Sequence, residues 1–514
     1  MLRTMSKPQW KLAGAVAVVV LAVAGVTALL LRGDDRPGSD FVTRSGNQLM
    51  LNGKPFAAAG GNNYRPMFLD KELVDLIMGA AGRSNFQILR VWGFNDIGLA
   101  DGTGSLDFQN RTTYFHFWDG KAPAFNDGAN GLEKLDYVVA SAKKNNVRLV
   151  IPFVNNWGSF GGMDQYVSWA NGQAHGEFYT SPTIRGWYKD WVRHLLERTN
   201  IYTKVKYKDE PTIAAWELAN EARCKATHFP QGTCTTDTIT AWAKEMAAHV
   251  KSIDRKHVLG LGDEGFMCEP GAGHWAYDCS QGVDARAIAA IDDLDLVGLH
   301  LYPDHWGTDA DWATDYLKRH LTLAAEVGKP VFLGEYGWRR TETRNVVFHQ
   351  WITAFQQGGG DIALYWVMEP RAEGITPPDQ DGFTAYCPSP VCTQVSYRSQ
   401  AMLTGRTDFP PVPDEDFVLV PYGKTGTLDL LANDVSLSAR IDPSTVDLDP
   451  AAAGAQTSLT LPGGALIVVG GKLAYTPAPG FSGRVDFTYT VADDAGRVSE
   501  PAAGTIRVSA VDQR

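Results

Sequence analysis

From Pro55 onward one unit recurs along the chain: a short run of β-branched and small apolar residues, a polar or glycine-rich tip, then a stretch with apolar residues at i, i+3 and i+4. Eight runs are predicted as strands, at 55–63, 86–93, 147–155, 212–220, 257–265, 296–303, 330–337 and 361–368. Helical periodicity falls between them, on 132–145, 184–198, 238–253 and 344–356. Strands alternating with helices imply parallel pairing. Eight such units over about 350 residues predict an α/β protein, a (β/α)8 TIM barrel with some long loops. An open doubly wound sheet is the structural rival, but no GxGxxG follows the first strand.

The pattern breaks at both ends. Residues 12–31 are uncharged and apolar over roughly 20 positions, long enough to span a hydrocarbon core, and Arg3, Lys7 and Lys11 precede them. This favours an uncleaved membrane anchor over a cleaved signal, and either places the rest of the chain outside the cytoplasm. A polar linker, DDRPGSD, runs to residue 40. After the PPVP segment at 410–413, cysteine and tryptophan disappear, and short alternating runs such as LAYT (473–476) and VDFTYTV (485–491) lie between glycine-rich turns. That reads as a small all-β sandwich. Three regions result: 1–40, a cytoplasmic stub, apolar segment and linker; 41–409, the barrel; and 410–514, linker and sandwich.

Composition narrows the partners. A net charge of −11 over 514 residues argues against nucleic acid or an anionic membrane surface. Fifteen tryptophans suit stacking on sugar rings, and equally a large core. The six cysteines fall in close pairs, Cys224 with Cys234, Cys268 with Cys279 and Cys387 with Cys392, which in an exported chain read as loop-pinning disulfides. A zinc site lacks any CxxC or nearby histidine, and no metal or cofactor is called for.

Polar residues gather at the carboxyl ends of the predicted strands: Asn62 and Asn63, Arg90, Asn155 and Asn156, Asn220 and Glu221, Asp263 and Glu264, His300 and Tyr302, Glu335 and Tyr336, Trp366 and Glu369. Each alone is explained by capping, but in a barrel this end carries the active site. Acids at the tips of strands four and seven, Glu221 and Glu335, are what glycoside hydrolysis requires: one protonates the leaving oxygen and one attacks or activates water. Arg90 is expected to keep Glu335 ionised, Tyr302 to donate to it, and crowding beside a second carboxylate to raise Glu221. Asn220 is expected to bond a sugar hydroxyl, His300 to orient the acid or the sugar, and Trp366 to floor the reacting ring.

At RVWG (90–93), WELANE (216–221), HLY (300–302), GEYG (334–337) and YW (365–366) the chain resembles glycoside hydrolase family 5. The sequence FVTRSGNQLMLNGKPF, the VNNWGSFGG loop (154–162) and DEGF (263–266) narrow the resemblance to endo-β-1,4-mannanases of plant and fungal type, over roughly residues 41–408. The resemblance implies Glu221 as acid/base, Glu335 as nucleophile, and Arg90, Asn220, His300, Tyr302 and Trp366 around them. Asn155, Asn156, Trp157, Glu264 and Trp338 sit where a groove would bind further sugars. Arg65 departs from the pattern, since an aromatic is expected after Tyr64. The expected partner is a β-mannan polysaccharide, acted on by a monomer. A β-1,4-glucanase is the runner-up, and a non-catalytic glycan-binding adhesin the third reading. The carboxyl-terminal piece resembles bacterial cadherin-like or immunoglobulin-like repeats, expected as a spacer or surface-association domain, with a carbohydrate-binding module as the functional rival. Asp493 and Asp494 there could contribute to a calcium site, without a complete ligand pattern.

Overall fold

The computed structural model describes residues 40–107, 112–372 and 376–510. The apolar segment 12–31 lies outside them, and among the described residues no helix is long and apolar enough to cross a membrane.

Eight parallel strands form the centre: β1 (Ala58–Asn62), β2 (Ile88–Arg90), β3 (Arg148–Pro152), β4 (Ile213–Glu217), β5 (Val258–Gly260), β6 (Val297–Leu301), β7 (Val331–Tyr336) and β8 (Ile362–Tyr365). Their order is β5-β4-β3-β2-β1-β8-β7-β6, so the sheet curls until β5 and β6 face each other. One backbone bond, Asp295 N–H to Leu259 O at 2.8 Å, spans that seam, leaving a nearly closed (β/α)8 barrel. Each strand is shorter than its apolar run. Asn62, Arg90, His300 and Glu335 stay in the ladder at its carboxyl end, whereas Asn155, Asn220, Glu221, Asp263 and Trp366 lie past the ends of their strands.

The outer ring holds α1 (Lys71–Arg83), α2 (Leu132–Lys144), α3 (Pro182–Glu197), α4 (Thr236–Ile253), α5 (Ala285–Ala289), α6 (Ala310–Val327), α7 (Thr341–Gln357) and α8 (Pro390–Thr404). Starts are set locally. Pro182 stands in the first turn of α3, where its missing N–H costs nothing, and Thr235 and Thr238 form a reciprocal cap on α4. The far end of the barrel is plugged by Val42 and Leu49, from a hairpin ahead of β1, packed on Ala58, Ile88, Val150 and Phe332. The barrel interior is therefore a packed core, and a cleft opens at the carboxyl ends of the strands.

The carboxyl-terminal domain is a sandwich of two four-stranded sheets. One contains Asp416–Val420, Ala502–Val508, Gly483–Asp493 and Ile441–Asp447; the other Gly426–Asp429, Lys472–Pro477, Gly464–Val469 and Ser458–Leu461. Leu430, Leu466, Tyr489, Val491 and Ile506 fill the space between them. The 410–413 segment, expected as a stiff break, is packed: Phe409 and Val412 are buried, Val412 bridges Val435, and Asn345 Nδ2 of α7 donates to the carbonyls of Val412 and Asn433. Asp493 is taken by Arg497 at 2.7 Å and Asp494 faces Arg440 at 3.4 Å, so both aspartates are committed to arginines.

Candidate active site

Glu335 is the fifth residue of β7 and lies 4% exposed in the barrel mouth. Glu221 lies four residues past the end of β4, on a segment that continues hydrogen-bonding to its neighbours: Asn220 N–H donates to Val154 O at 2.7 Å and Glu221 N–H to Gly262 O at 2.6 Å. Glu221 takes a left-handed backbone at φ 57°, uncommon for a side chain of this kind and here held by those flanking bonds. The result is that one oxygen from each glutamate, and a ring nitrogen of His300, lie within 4.8 Å of one another.

The donors around the two carboxylates differ. Arg90, fully buried, gives Nη1 to Glu335 Oε1 at 2.6 Å, Nε to Glu217 Oε2 at 2.7 Å and Nη2 to Asn220 Oδ1 at 2.8 Å. Tyr302 donates to Glu335 Oε2 at 2.5 Å. Trp157 Nε1 donates to Glu221 Oε2 at 2.5 Å, and His300 Nδ1 lies 2.9 Å from Glu221 Oε1 and 3.7 Å from Glu335 Oε2. All four carboxylate oxygens thus face protein donors.

These contacts set the protonation. Burial opposes a charge on His300, but Glu335 and Glu221 prevail and raise it above the ordinary imidazole value. Burial also opposes charge on Glu221, yet the hydrogen bond and charge of His300, the charge of Arg223 and the Trp157 indole hold it well below the carboxylate range. Burial, with Glu221 adding to it, raises Glu335 against His300, Arg90 and Tyr302. Crowding was expected to raise Glu221. It is Glu335 that rises, because burial and the Glu221 charge prevail there, whereas at Glu221 His300, Arg223 and Trp157 prevail over burial. Two carboxyl groups this close, with His300 between them, titrate as a coupled pair.

The cleft has a volume of about 470 Å³ and is lined by Asn155, Trp157, Asn220, Glu221, Tyr302, Glu335 and Trp366 among the expected residues. Trp366 stacks on Tyr64 at 5.8 Å and donates Nε1 to Asp381 Oδ2 at 2.7 Å, with its indole partly exposed. Asn155 accepts from Asn220 Nδ2 at 3.0 Å. Glu264 is not in the wall. It lies behind Arg223, which donates Nε to it at 2.6 Å, and burial pushes it up to about 8 despite that arginine. Trp338 packs on Trp351 in the core, and Asn156 is buried accepting from the amide of Arg223. Arg65 pairs with Glu369 at 3.1 Å beside Tyr64.

Several lining residues were not singled out from the sequence: Trp92, although inside RVWG, and Arg223, Trp275, Trp306, Arg339, Asp381 and Phe383, from six different loops in all. Glu217 could have been noticed as a carboxylate inside an apolar strand, four residues ahead of Glu221. A larger cavity of about 590 Å³ lies on the barrel flank between Phe125 and Trp187 and includes neither glutamate. All three expected disulfides are present, Cys224–Cys234, Cys268–Cys279 and Cys387–Cys392.

A (β/α)8 barrel with two glutamates facing each other across its carboxyl-terminal mouth has the architecture of a glycoside hydrolase. Comparison with known proteins agrees with that class. The profile of the family described as GH family 5 beta-mannosidase-like matches residues 39–356, and that of a bacterial Ig domain matches 408–509. The chain belongs to the glycoside hydrolase family 5 beta-mannosidase-like family. It is 36% identical over 353 residues to the probable mannan endo-1,4-beta-mannosidase A of Aspergillus flavus, covering 68% of this chain and 84% of that protein. It is 36% identical over 330 residues to the mannan endo-1,4-beta-mannosidase A of Hypocrea jecorina, covering 64% and 70%. Among solved structures, the endo-1,4-beta-mannanase from Rhizomucor miehei superposes with a TM-score of 0.65 at 32% identity, over 71% of this chain and 99% of that one. The endo-beta-1,4-mannanase from Thermotoga petrophila has a TM-score of 0.65 at 28% identity, over 90% and 99%.

Proposed function

We propose that this protein is an endo-acting β-1,4-mannanase that works by double displacement, with Glu335 as nucleophile and Glu221 as acid/base. The observation that carries the mechanism is the close approach of the two carboxyl groups, with oxygens within 4.8 Å. Retaining enzymes keep these groups about 5–5.5 Å apart, whereas inverting enzymes need about 6.5–9.5 Å to admit a water. The mannan assignment rests on family membership and on the activity for which the relatives are named.

The chemistry follows from the donor pattern. With a sugar in place, Glu335 must be ionised, and it accepts from Arg90 Nη1 and the Tyr302 hydroxyl while Arg90 Nη2 holds Asn220. Glu221 must carry a proton, and His300 holds one 2.9 Å away. Moving that proton from Nδ1 to Oε1 makes Glu221 a neutral acid and His300 a neutral imidazole, while the bonds from Arg90 and Tyr302 favour the ionised form of Glu335 needed for attack. Glu335 then attacks the anomeric carbon while Glu221 protonates the leaving oxygen. In the second step Glu221 takes a proton from water, which displaces Glu335 and restores the original configuration. Asn220, held by Arg90 and Asn155, presents its amide beside the reacting carbon. Trp366 offers an indole face as the floor of the sugar site.

The three disulfides and the apolar segment ahead of the barrel support an enzyme working outside the cytoplasm, held to the membrane by residues 12–31. Proton NMR of the first products from manno-oligosaccharides tests the mechanism: the β-anomer is expected, and an α-configured first product overturns it. Side-by-side hydrolysis of mannan, glucomannan, cellulose and xylan tests the substrate. Faster release from cellulose moves the assignment to a glucanase.

A further inference from the structure

Two consecutive residues at the start of α7, Arg344 and Asn345, are polar, buried and unused by the reaction. Arg344 touches no carboxylate at ion-pair distance among its hydrogen bonds. It gives Nε to Trp338 O at 2.6 Å and Nη2 to Arg339 O at 3.2 Å, both on the segment after β7. It gives Nη2 to Gly382 O at 2.6 Å and Nη1 to Thr384 O at 2.8 Å, on the segment after β8. One planar guanidinium therefore fastens together the main chains that leave two adjacent barrel strands, a geometry an ammonium cannot reproduce.

What those main chains carry is the reason this matters. Asp381 accepts from the indole of Trp366 at 2.7 Å. Phe383 meets the ring of Tyr302 edge-on at 5.0 Å, and Tyr302 is the donor to Glu335. The packing is close: a Cβ on Gly337 would stand 2.7 Å from both Phe383 and Tyr302. Asn345, next in sequence, is fully buried and joins the same turn to the sandwich through Val412 O and Asn433 O, while Gln394 of α8 donates to its side chain at 2.5 Å. Asp414, at the entry to the sandwich, is also among the acids that act on the Arg344 charge, after Asp379, Asp304 and Asp381.

We propose that Arg344 is a positioning residue for the glycosidase reaction, fixing Asp381 and Phe383 by bridging the main chains after β7 and β8, and that Asn345 makes the carboxyl-terminal domain part of that brace. The sandwich is then a structural component of the cleft and not a spacer. This rests on Glu335 being the nucleophile. That reading is tested by product configuration in the parent enzyme, whereas this one is tested by variants compared with the parent.

The test is made on the full chain with Arg344→Met, which keeps the stem and removes every donor. Loosening Asp381 frees the Trp366 floor, so KM for manno-oligosaccharides rises about tenfold while kcat changes less. Loosening Phe383 weakens the Tyr302 bond, so the acid limb of kcat/KM moves to higher pH and the basic limb stays. A merely structural role would lower the amount of folded enzyme without moving that limb. Arg344→Lys restores only part of the effect, and serves as the test if the methionine variant does not fold. Asn345→Ala moves KM and the acid limb in the same direction by less. Folded Arg344 variants with KM and acid limb within about twofold and a few tenths of a pH unit of the parent overturn the proposal. Unchanged values for Asn345→Ala alone remove the carboxyl-terminal domain from it.

Discussion

Tyr302→Phe isolates one bond at the nucleophile. The hydroxyl donates to Glu335 Oε2 at 2.5 Å in a fully buried setting, and burial, reinforced by Glu335, raises its own pKa far enough to keep it a donor across any working pH. A hydrogen bond to a charged group contributes about 1.5–3 kcal/mol, and one pKa unit corresponds to about 1.4 kcal/mol. Removing the hydroxyl disfavours only the ionised form of Glu335, so its pKa, already raised, moves up by a further one to two units or so. The proton-bound nucleophile is inactive. The acid limb of kcat/KM is therefore expected to shift to higher pH by that amount, with about tenfold loss per unit at a fixed pH below the new limb. The basic limb, which follows the proton shared by His300 and Glu221, stays where it is. The assay is initial rate against pH on a soluble manno-oligosaccharide, with near-ultraviolet circular dichroism to show native packing. A natively packed variant whose acid limb does not move, or moves down, refutes the assignment of Glu335 as the group that must be ionised.

His300→Asn removes the group whose raised pKa keeps a proton in the site, so the basic limb is expected to move to lower pH, toward the carboxyl range, and the acid limb to move up because the His300 charge no longer lowers Glu335; an unmoved basic limb in the same rate profile counts against the proton store. Glu335→Ala is expected to abolish turnover on every substrate, whereas Glu221→Ala retains attack on an aryl glycoside with an acidic phenol and is rescued by azide as the β-glycosyl azide; rescue giving the α-azide, seen by NMR, contradicts the double displacement. Replacing both Cys224 and Cys234 by serine opens a loop of sequence separation 10 beside the acid/base strand, and chain entropy puts the loss at about 2–3 kcal/mol, read by urea unfolding; no change in midpoint would show that the loop is held by packing alone. Cells making the full chain are expected to keep it in carbonate-washed membranes, and active enzyme free in the medium would discard the anchor.

Much of the barrel was legible because its signal is local. Each strand buries both faces, so it appears as an uninterrupted apolar run, and each run contains the observed strand. Helices α2, α3, α4 and α7 show the same economy, with apolar positions on one stripe. The cysteine pairs were readable for a similar reason, since short loops leave few other partners. Glu221 and Glu335 stood out because a carboxylate at the end of a buried strand needs a reason to be there.

What escaped was set by contacts distant in sequence. Glu264 and Trp338 carry the same strand-tip signature as Asn155 and Trp157, yet Arg223 draws Glu264 behind the wall and Trp351 draws Trp338 into the core. The linker at 410–413 has the composition of a stiff spacer, yet it packs beside Val435 and accepts from Asn345, more than sixty residues upstream. The order of protonation is the clearest case. Two glutamates at strand tips are equivalent in the sequence, and which one rises depends on whether His300 and Trp157 reach one carboxylate while Arg90 and Tyr302 reach the other. Periodicity therefore determined the architecture and drew attention to the two strand-tip glutamates, because burial of apolar faces is written residue by residue. Only the closed barrel decided their charges and neighbours, because electrostatic interaction falls with distance and those distances exist only after eight strands have met.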